Sequence, residues 1–540
     1  MPQGMFLGEP YVLAGRRLAF TSWFRVRPGM PRWVSDSGEP IGLSGQAAPD
    51  AAQFRPSHLP RGVRLAVERP VRDPAPMLTP RLGERNLVVI SVLRDGDRYL
   101  GWGKCDTTDG QSFSMFVTSA DGVDWERPNL GMISHNGTTD NNYIPRISEM
   151  FPGRAISGAS VFIDPAAGPK ERFKAVTPHY FAREEVANYL ATRSEEVDPK
   201  ALTNIALEHL GFDGDQVFGV AGLTSPDGID WTWLPEPLLI MHSDSQIICF
   251  YDQVTRRYVG MFREWVVGEH PEFTGRPWMG SENSYANAWF EVGQRVLARA
   301  ETDDFTRWPL PQPVLSDTPN LRPTESLYTG FWSTFPGAPD TQLLFPTVWD
   351  TATDNHAVYI CSATDAHGRS WQWLPDGCLL KPNTAGTWDG GTVFAHPGLI
   401  ELPSGDFALP YAGFDAPHKY PRSQVKFGSA FIRWPKGRVV GIRADETGEF
   451  QTVSVLAVGR RAAVNCLSSR TGYVRAEVRR FDGSVVPGRD LDKCAPLIGD
   501  SYGRELTWNG ESDLGVADGE PVSLRFELRD ASVYWVEFRD

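Results

Sequence analysis

Residues 118–128 read TSADGVDWERP, and residues 224–231 repeat the pattern as TSPDGIDW. In each stretch a β-type segment leads into an Asp-Gly pair, and a Trp follows three residues after the Gly. Because Gly accepts the positive φ that a tight turn requires, each Asp-Gly pair predicts a turn between two antiparallel strands. The Trp supplies a large side chain that can pack between neighbouring sheets.

The same pattern recurs in weaker form at residues 301–309, 362–371 and 431–435. Successive tryptophans of the five copies are separated by 106, 77, 63 and 63 residues, and they are Trp125, Trp231, Trp308, Trp371 and Trp434. A unit of roughly 60 residues holds four strands and their turns. Five such units predict a five-bladed β-propeller with insertions in the two long intervals.

The rest of the chain completes an all-β organisation. Residues 61–438 are predicted to form the propeller, with a helical insertion at 182–211 and a loop insertion at 268–291. Residues 439–540 show period-2 alternation of apolar and charged side chains, which predicts a C-terminal antiparallel β-sandwich. Residues 1–60 are expected to close the propeller or to lie at a subunit interface.

Composition limits the classes of partner. The chain has 540 residues, with 53 Lys and Arg against 67 Asp and Glu, for a net charge of −14. Such a chain repels phosphate backbones and anionic surfaces, so we expect neither nucleic acid nor a membrane as a partner. The first residues lack a basic segment followed by an apolar one, which favours a cytoplasmic protein. A homo-oligomer is left open.

The six cysteines are scattered, without metal-type spacing. They are expected to be reduced thiols, with a Cys466–Cys494 disulfide as the alternative in an exported protein. We find no GxSxG, HExxH, P-loop or Rossmann motif, and we expect neither a metal nor a cofactor. Calcium binding at residues 213–215 or 303–304 is a further alternative.

Candidate catalytic residues stand at the starts of the predicted inner strands, since these starts meet at the mouth of a propeller channel. Four acids occupy this position in four blades: Glu84, Asp244, Glu325 and Asp389. Like charges that converge raise one another's pKa, a costly arrangement usually kept for function. A carboxylic acid and a carboxylate together can break a glycosidic bond. We expect Asp244 to act as nucleophile or base and Glu325 as general acid. Asp389 and Glu84 would bind the sugar hydroxyls or tune the pKa of that acid.

Polar and aromatic neighbours of these positions are expected to bind the substrate. The polar candidates are Asn142, His242, Arg263 and His418, and the aromatic ones are Trp388, Trp332, Trp265 and Tyr328. Aromatic rings could stack on a sugar face, although packing in the blade cores would explain several of them equally well.

Several segments of the chain resemble one known protein family. The segment 119–131, SADGVDWERPNLG, resembles bacterial proteins similar to the invertase/fructanase N-terminal domain of glycoside hydrolases. The likeness extends to residues 136–137, 141–142, 160–165, 171–174, 242–246 and 499–538. It implies a five-bladed propeller followed by a β-sandwich, as in the clan that joins fructosidases, levanases and arabinanases.

The sequence departs from true invertases at the motifs that carry their chemistry. Their Asn-Asp-Pro-Asn nucleophile motif and Glu-Cys-Pro acid motif are absent, and Arg72-Asp73-Pro74 precedes the first blade. The invertase catalytic triad is therefore not transferred to residues of this chain.

The leading prediction is a glycoside hydrolase that cleaves a furanoside, such as a fructose- or arabinofuranose-containing oligosaccharide. The alternatives are a non-catalytic carbohydrate-binding propeller and a glycoside phosphorylase, for which Arg263, Arg322 and His242 could hold phosphate.

Overall fold

Strands make up nearly all of the regular structure of the protein. The computed structural model describes residues 10–27, 60–147, 149–151, 154–155, 159–198, 201, 216–243, 247–266, 294–315, 322–421, 424–456, 458–517 and 519–540. Within these ranges, no helix has both the length and the apolar character that crossing a membrane demands.

Five antiparallel sheets, each with a path of four strands from the centre of the ring to its outside, form the blades of a β-propeller. From the inner to the outer strand, blade 1 contains Glu84–Asp95, Arg98–Thr107, Ser112–Ser119 and Trp125–Glu126. In the same order, blade 2 contains Ser160–Ile163, Phe173–Ala182, Gln216–Ser225 and Thr232–Trp233. Blade 3 contains Ile248–Asp252, Arg257–Val266, Gln294–Thr302 and Gln312–Leu315. Blade 4 contains Glu325–Phe335, Ala338–Asp350, Asn355–Ala363 and Trp371–Leu380. Blade 5 contains Thr392–Ala395, Phe407–Phe414, Phe427–Trp434 and Val71–Arg72.

The outer strand of blade 5 comes from the beginning of the chain and closes the ring. Val71 and Arg72 pair antiparallel with Arg433 and Ile432. Asp73 binds the Arg433 guanidinium with both carboxylate oxygens, at 2.7 Å each. The closing strand therefore follows residues 1–60 and belongs to the stretch that we assigned to the propeller.

The predicted Asp-Gly turns join the third and fourth strands, and their geometry repeats from blade to blade. Asp121 accepts hydrogen bonds from two following backbone amides at 2.8 and 2.9 Å, and Asp227 does the same at identical distances. Gly228 has φ +79°, and its carbonyl accepts the indole N–H of Trp102 of blade 1 at 2.6 Å. The turn thus packs on the neighbouring blade, which explains why the repeat requires Gly at this position.

The C-terminal β-sandwich is built from one continuous eight-stranded sheet. Its long strands, Arg461–Arg480 and Val522–Arg539, pair along most of their length. The predicted alternation is confirmed, because Val522, Leu524, Phe526 and Leu528 are all buried. The other strands of this sheet are Tyr11–Val12, Arg17–Ala19, Arg64–Val67, Val440–Gln451, Val455–Leu456 and Asp500–Glu505. The described strands within residues 1–60 thus join the sandwich rather than the ring, and so does Arg64–Val67, which the prediction assigned to the propeller. Elsewhere lie the short strands Tyr143–Ile144, Glu149–Phe151, Arg154–Ala155 and Ile400–Glu401.

Both predicted insertions leave the ring at the same edge, between the second and third strands of blades 2 and 3. The first contains the short α-helix Ala187–Thr192. Residues 199–211 of this insertion, apart from Ala201, lie outside the described residues, and so does the whole loop at 268–291. All six cysteines are free thiols, so the alternative of a Cys466–Cys494 disulfide does not hold.

The direction of the strands sorts the loops between two faces of the ring. Inner strands begin, and second strands end, on one side, which we call the top face. The turns between first and second strands and the Asp-Gly turns lie on the opposite side, the bottom face. The three described acids, Glu84, Glu325 and Asp389, belong to the top face, because each precedes or begins an inner strand.

Candidate functional site

In blade 1, Glu84 is held by a buried arginine. Arg127 binds both oxygens of the Glu84 carboxylate, with Nη1 at 2.9 Å from Oε2. The Tyr143 hydroxyl donates to Oε1 at 3.2 Å. Burial acts to raise the pKa of Glu84, but the hydrogen bonds from Arg127 and the Arg81 amide outweigh it and lower the pKa. Asn142 has no exposed surface, and its side-chain oxygen accepts a hydrogen bond from Arg127 at 3.2 Å. The ion pair of Glu84 and Arg127 fixes the start of the inner strand of blade 1.

In blade 5, Asp389 is fully buried and pairs with the ring-closing strand. Its Oδ2 lies 2.6 Å from Nη1 of Arg72 and accepts the Tyr411 hydroxyl at 3.0 Å. Trp388 stacks on Tyr411, with ring centroids 5.6 Å apart. A substrate cannot contact the Asp389 carboxylate in this conformation. In the structure, the ion pair of Asp389 with Arg72 attaches the closing strand to blade 5.

In blade 4, Glu325 faces a second carboxylate. Glu325 begins the inner strand and is paired with Asp350, the last residue of the second strand. Nη2 of Arg322 lies 2.8 Å from Oε1 of Glu325 and 3.2 Å from Oδ2 of Asp350. The side chains of Glu325 and Asp350 are 13% and 12% exposed, whereas that of Arg322 is 65% exposed. Two largely buried acids therefore share one accessible cation.

Hydrogen bonds keep both of these acids ionised. Burial acts to raise the pKa of Glu325, but the side chain and backbone amide of Arg322 lower it overall. The charge of Asp350 opposes this effect on Glu325. Burial also acts to raise the pKa of Asp350, and hydrogen bonds from Thr324, the Ala352 amide and Thr353 lower it overall.

Beside this pair lies a cluster of rings from blades 4 and 5. Tyr328 packs edge-on against His356 at 4.6 Å and against His418 at 5.0 Å, and Trp349 lies parallel to His356. Tyr328 and Trp349 are only partly buried. Arg295 of blade 3 stands 4.8 Å from the Tyr328 ring centroid and 5.4 Å from that of Trp349. Three blades thus contribute to one aromatic surface at the top face.

Of the predicted site residues of blade 3, the structure describes the side chains of His242 and Arg263. Asp244 lies outside the described residues. His242 is buried and stacks on Phe218 of blade 2 at 4.8 Å. Arg263 is buried, and its backbone amide donates to the Ser243 hydroxyl at 3.1 Å. The Trp265 side chain is not among those described, although its backbone belongs to the second strand of blade 3.

The structure also reveals site residues that sequence reasoning missed, namely Asp350, Trp349 and His356. The signal for Asp350 was its position, since an acid at the end of a second strand lies at the same face of the ring as an acid at the start of the first strand. His356 carried no such signal. Its contact with the Thr392 hydroxyl, at 2.8 Å, crosses from blade 4 to blade 5.

The described residues contain no group of three or more His, Cys, Asp or Glu side chains suited to hold a metal ion. Of the two calcium alternatives, Asp303 is engaged by the Arg257 guanidinium at 2.7 Å. Residues 213–215 lie outside the described ranges. The chemistry that the described top face offers is that of carboxylates, arginines and aromatic rings.

No family model matches the chain, and no curated protein matches it. Solved structures are similar only at low identity. A GH32 β-fructofuranosidase from Bombyx mori is 9% identical, with a TM-score of 0.33, over 92% of this chain and 97% of that one. A GH130 protein from a study of mannoside phosphorylases and β-1,2-mannosidases is 12% identical, with a TM-score of 0.36, over 69% and 98%. A glycosyl hydrolase from Bacteroides ovatus is 11% identical, with a TM-score of 0.36, over 68% and 93%. At this level of similarity the neighbours establish no activity for the chain.

Proposed function

We propose that the protein is a glycoside hydrolase whose substrate binds at the top face, with Glu325 and Asp350 as its catalytic carboxylates. The observation that carries this proposal is their cross-strand pairing beside partly exposed rings. Directly opposite residues of an antiparallel pair have Cβ atoms about 5 Å apart. Carboxyl groups separated by roughly 5 Å are typical of retaining glycosidases.

The surroundings of the two acids suggest different roles. Asp350 accepts hydrogen bonds from the Ala352 amide and the Thr353 hydroxyl, both at 3.1 Å, and these favour its ionised form. The side-chain bond that keeps Glu325 ionised comes from Arg322, which is accessible. If substrate draws Arg322 away, repulsion from Asp350 raises the pKa of Glu325. Glu325 then acts as general acid on the leaving oxygen, and Asp350 acts as nucleophile.

We propose that the aromatic surface beside the acids binds the sugar. Tyr328 is three residues after Glu325 on the inner strand, and Trp349 directly precedes Asp350 on the second strand. The same two strands therefore carry the acids and the partly exposed rings. We propose that a sugar ring packs against Tyr328 or Trp349 at the top end of these strands, with its glycosidic bond at the carboxylate pair. His418 belongs to the same cluster and supports Tyr328.

A furanoside is the proposed substrate class, and it rests on the sequence resemblance to invertase/fructanase-type proteins. The test is to incubate the purified protein with aryl β-D-fructofuranoside and with aryl α-L- and α-D-arabinofuranosides, with and without inorganic phosphate. Release of the aryl group without phosphate supports hydrolysis. Strict dependence on phosphate would replace the proposal by a phosphorylase. Sugar binding without any release would replace it by a carbohydrate-binding propeller.

A further inference from the structure

A cavity that is open to solvent lies in the central channel, at the bottom end of the inner strands. Its volume is about 370 Å³, and all five blades contribute to its wall. In blade 4 the lining residues are Trp332, Ser333 and Thr334, at the far end of the strand that Glu325 begins. Eight residues of extended strand separate Glu325 from Ser333, which corresponds to roughly 25 Å. The cavity is therefore distinct from the candidate site at the top face.

One side of the cavity is aromatic. Phe250 of blade 3 and Trp332 of blade 4 stack on each other with ring planes 3° apart, so each presents its edge or its outer face to the cavity, and Phe162 of blade 2 also lines it. The Trp332 indole N–H donates to Gln342 at 2.9 Å, which holds the ring in place. A hydrogen-bonded ring on a sheet is a preformed surface, and such a surface costs little ordering when a ligand binds.

Most of the other lining residues are apolar, and a few polar groups stand among them. Ser160, Ser333 and Thr334 come from two blades and contribute three side-chain hydroxyl groups. Water alone would fill the space with about twelve molecules, at roughly 30 Å³ each. Pockets of roughly 300–1,000 Å³ with aromatic walls and a few polar groups are the usual form of small-molecule sites.

The charged groups at the rim indicate a neutral ligand. Glu401 is bound by Arg17, with two contacts of 3.0 Å between its oxygens and the guanidinium nitrogens. Arg94 donates to the Gly96 carbonyl at 3.1 Å. The negative charge at the rim is therefore matched by Arg17 of the N-terminal strand. A cationic ligand would leave its solvation without gaining a partner from Glu401, and the charge of Arg94 is exposed to solvent.

We infer that this cavity is a binding site for a neutral polyhydroxylated molecule of monosaccharide size. The aromatic side contacts the apolar face of the sugar, and the serine and threonine hydroxyls exchange hydrogen bonds with the ligand hydroxyls. The inference is independent of the proposed hydrolysis, because no residue of the carboxylate pair lines the cavity.

Calorimetric titration of the whole protein with D-fructose, L-arabinose and D-glucose tests the inference. At least one sugar should bind saturably. Thr334→Phe fills the cavity and should weaken that binding at least tenfold, and Trp332→Leu should weaken it by removing the ring. Tyr473→Phe, on the sandwich, is the matched control and should bind as the wild type does.

A further variant separates this site from the top face. Glu325→Gln should abolish hydrolysis under the proposed function but should keep the cavity binding unchanged. Absence of saturable binding by all three sugars would overturn the inference. So would an affinity that Glu325→Gln removes and Thr334→Phe leaves intact. If Thr334→Phe does not fold, Trp332→Leu decides, and an unchanged affinity in that variant overturns the inference as well.

Discussion

Glu325 and Asp350 face each other across the first two strands of blade 4, and both contact the same guanidinium nitrogen of Arg322. The two acids are largely buried, whereas the arginine is mostly exposed. The pKa of Glu325 is therefore lowered by a side chain that is exposed to solvent. This arrangement leads directly to two predictions about activity.

Removing either carboxylate should abolish most of the turnover. Glu325→Gln and Asp350→Asn are each expected to lower kcat by about 100-fold or more, the usual contribution of a positioned acid or base. Initial rates on the aryl furanoside that the wild type cleaves measure the effect. Asp303→Asn removes an equally charged but exposed partner of Arg257 and should retain activity. Wild-type rates in both Glu325→Gln and Asp350→Asn would refute the assignment.

Arg322→Ala should shift the pH profile. In the free protein Arg322 lowers the pKa of Glu325, and the catalytic step needs Glu325 protonated. Loss of Arg322 raises that pKa, so the basic limb of kcat/KM should move to higher pH. Arg322→Lys keeps a positive charge and should stay closer to the wild type. A basic limb that does not move in Arg322→Ala would show that Arg322 does not control the acid.

The ring closure should depend strongly on Arg72. Asp389 is fully buried, and Arg72→Ala would leave its charge without this partner, which costs about 3–5 kcal/mol. Arg433→Ala breaks a more exposed pair with Asp73 in the same closure and should cost about 1 kcal/mol or less. Urea unfolding of both variants measures the difference. Equal losses would mean that burial of Asp389 does not set the strength of the closure.

Gly228 should tolerate alanine much less well than Gly110 does. Both have positive φ, at +79° and +87°, so alanine costs about 1–2 kcal/mol at either position. Only at Gly228 would the new Cβ also lie 2.7 Å from the Trp102 ring, while at Gly110 no atom lies within 4 Å. Overpacking should add about 1–3 kcal/mol to Gly228→Ala. Thermal unfolding of the two variants compares them, and similar midpoints would contradict the proposed blade contact.

Glu301 should make stability depend on pH. The hydrogen bond from Arg369 and the charge of Arg299 lower the pKa of Glu301 to about 2, from an ordinary value of 4.5. The folded state thus favours the carboxylate, so this stabilisation is complete above pH 4.5 and is lost as the pH falls towards 2.

Glu301→Gln should therefore lower the free energy of unfolding at pH 7 by about 2 kcal/mol. The difference from wild type should shrink at pH 3. Urea unfolding at both pH values measures it, with the exposed Glu446→Gln as the control. A difference that is the same at pH 3 and pH 7 would exclude an electrostatic origin.

Much of the fold could be predicted because its signals are local. Asp227 and Gly228 form their turn from neighbouring residues, and the alternation from Val522 to Leu528 needs only one strand. The hairpins of the blades follow for the same reason, since each joins segments close together in the chain. The candidate site was harder to predict from the sequence, because Glu325 was recognised without its cross-strand partner Asp350.

By itself, the sequence determined the number of blades, the Asp-Gly turns and the side of the ring on which Glu84, Glu325 and Asp389 stand. Only the tertiary structure decided which groups each of these acids contacts, because the partners come from other segments of the chain and, for Asp389, from closure of the ring. Asp389 and Arg72 are 317 residues apart, yet they form an ion pair. Strand periodicity and turn chemistry act over a few residues, whereas charge pairing depends on distance in space.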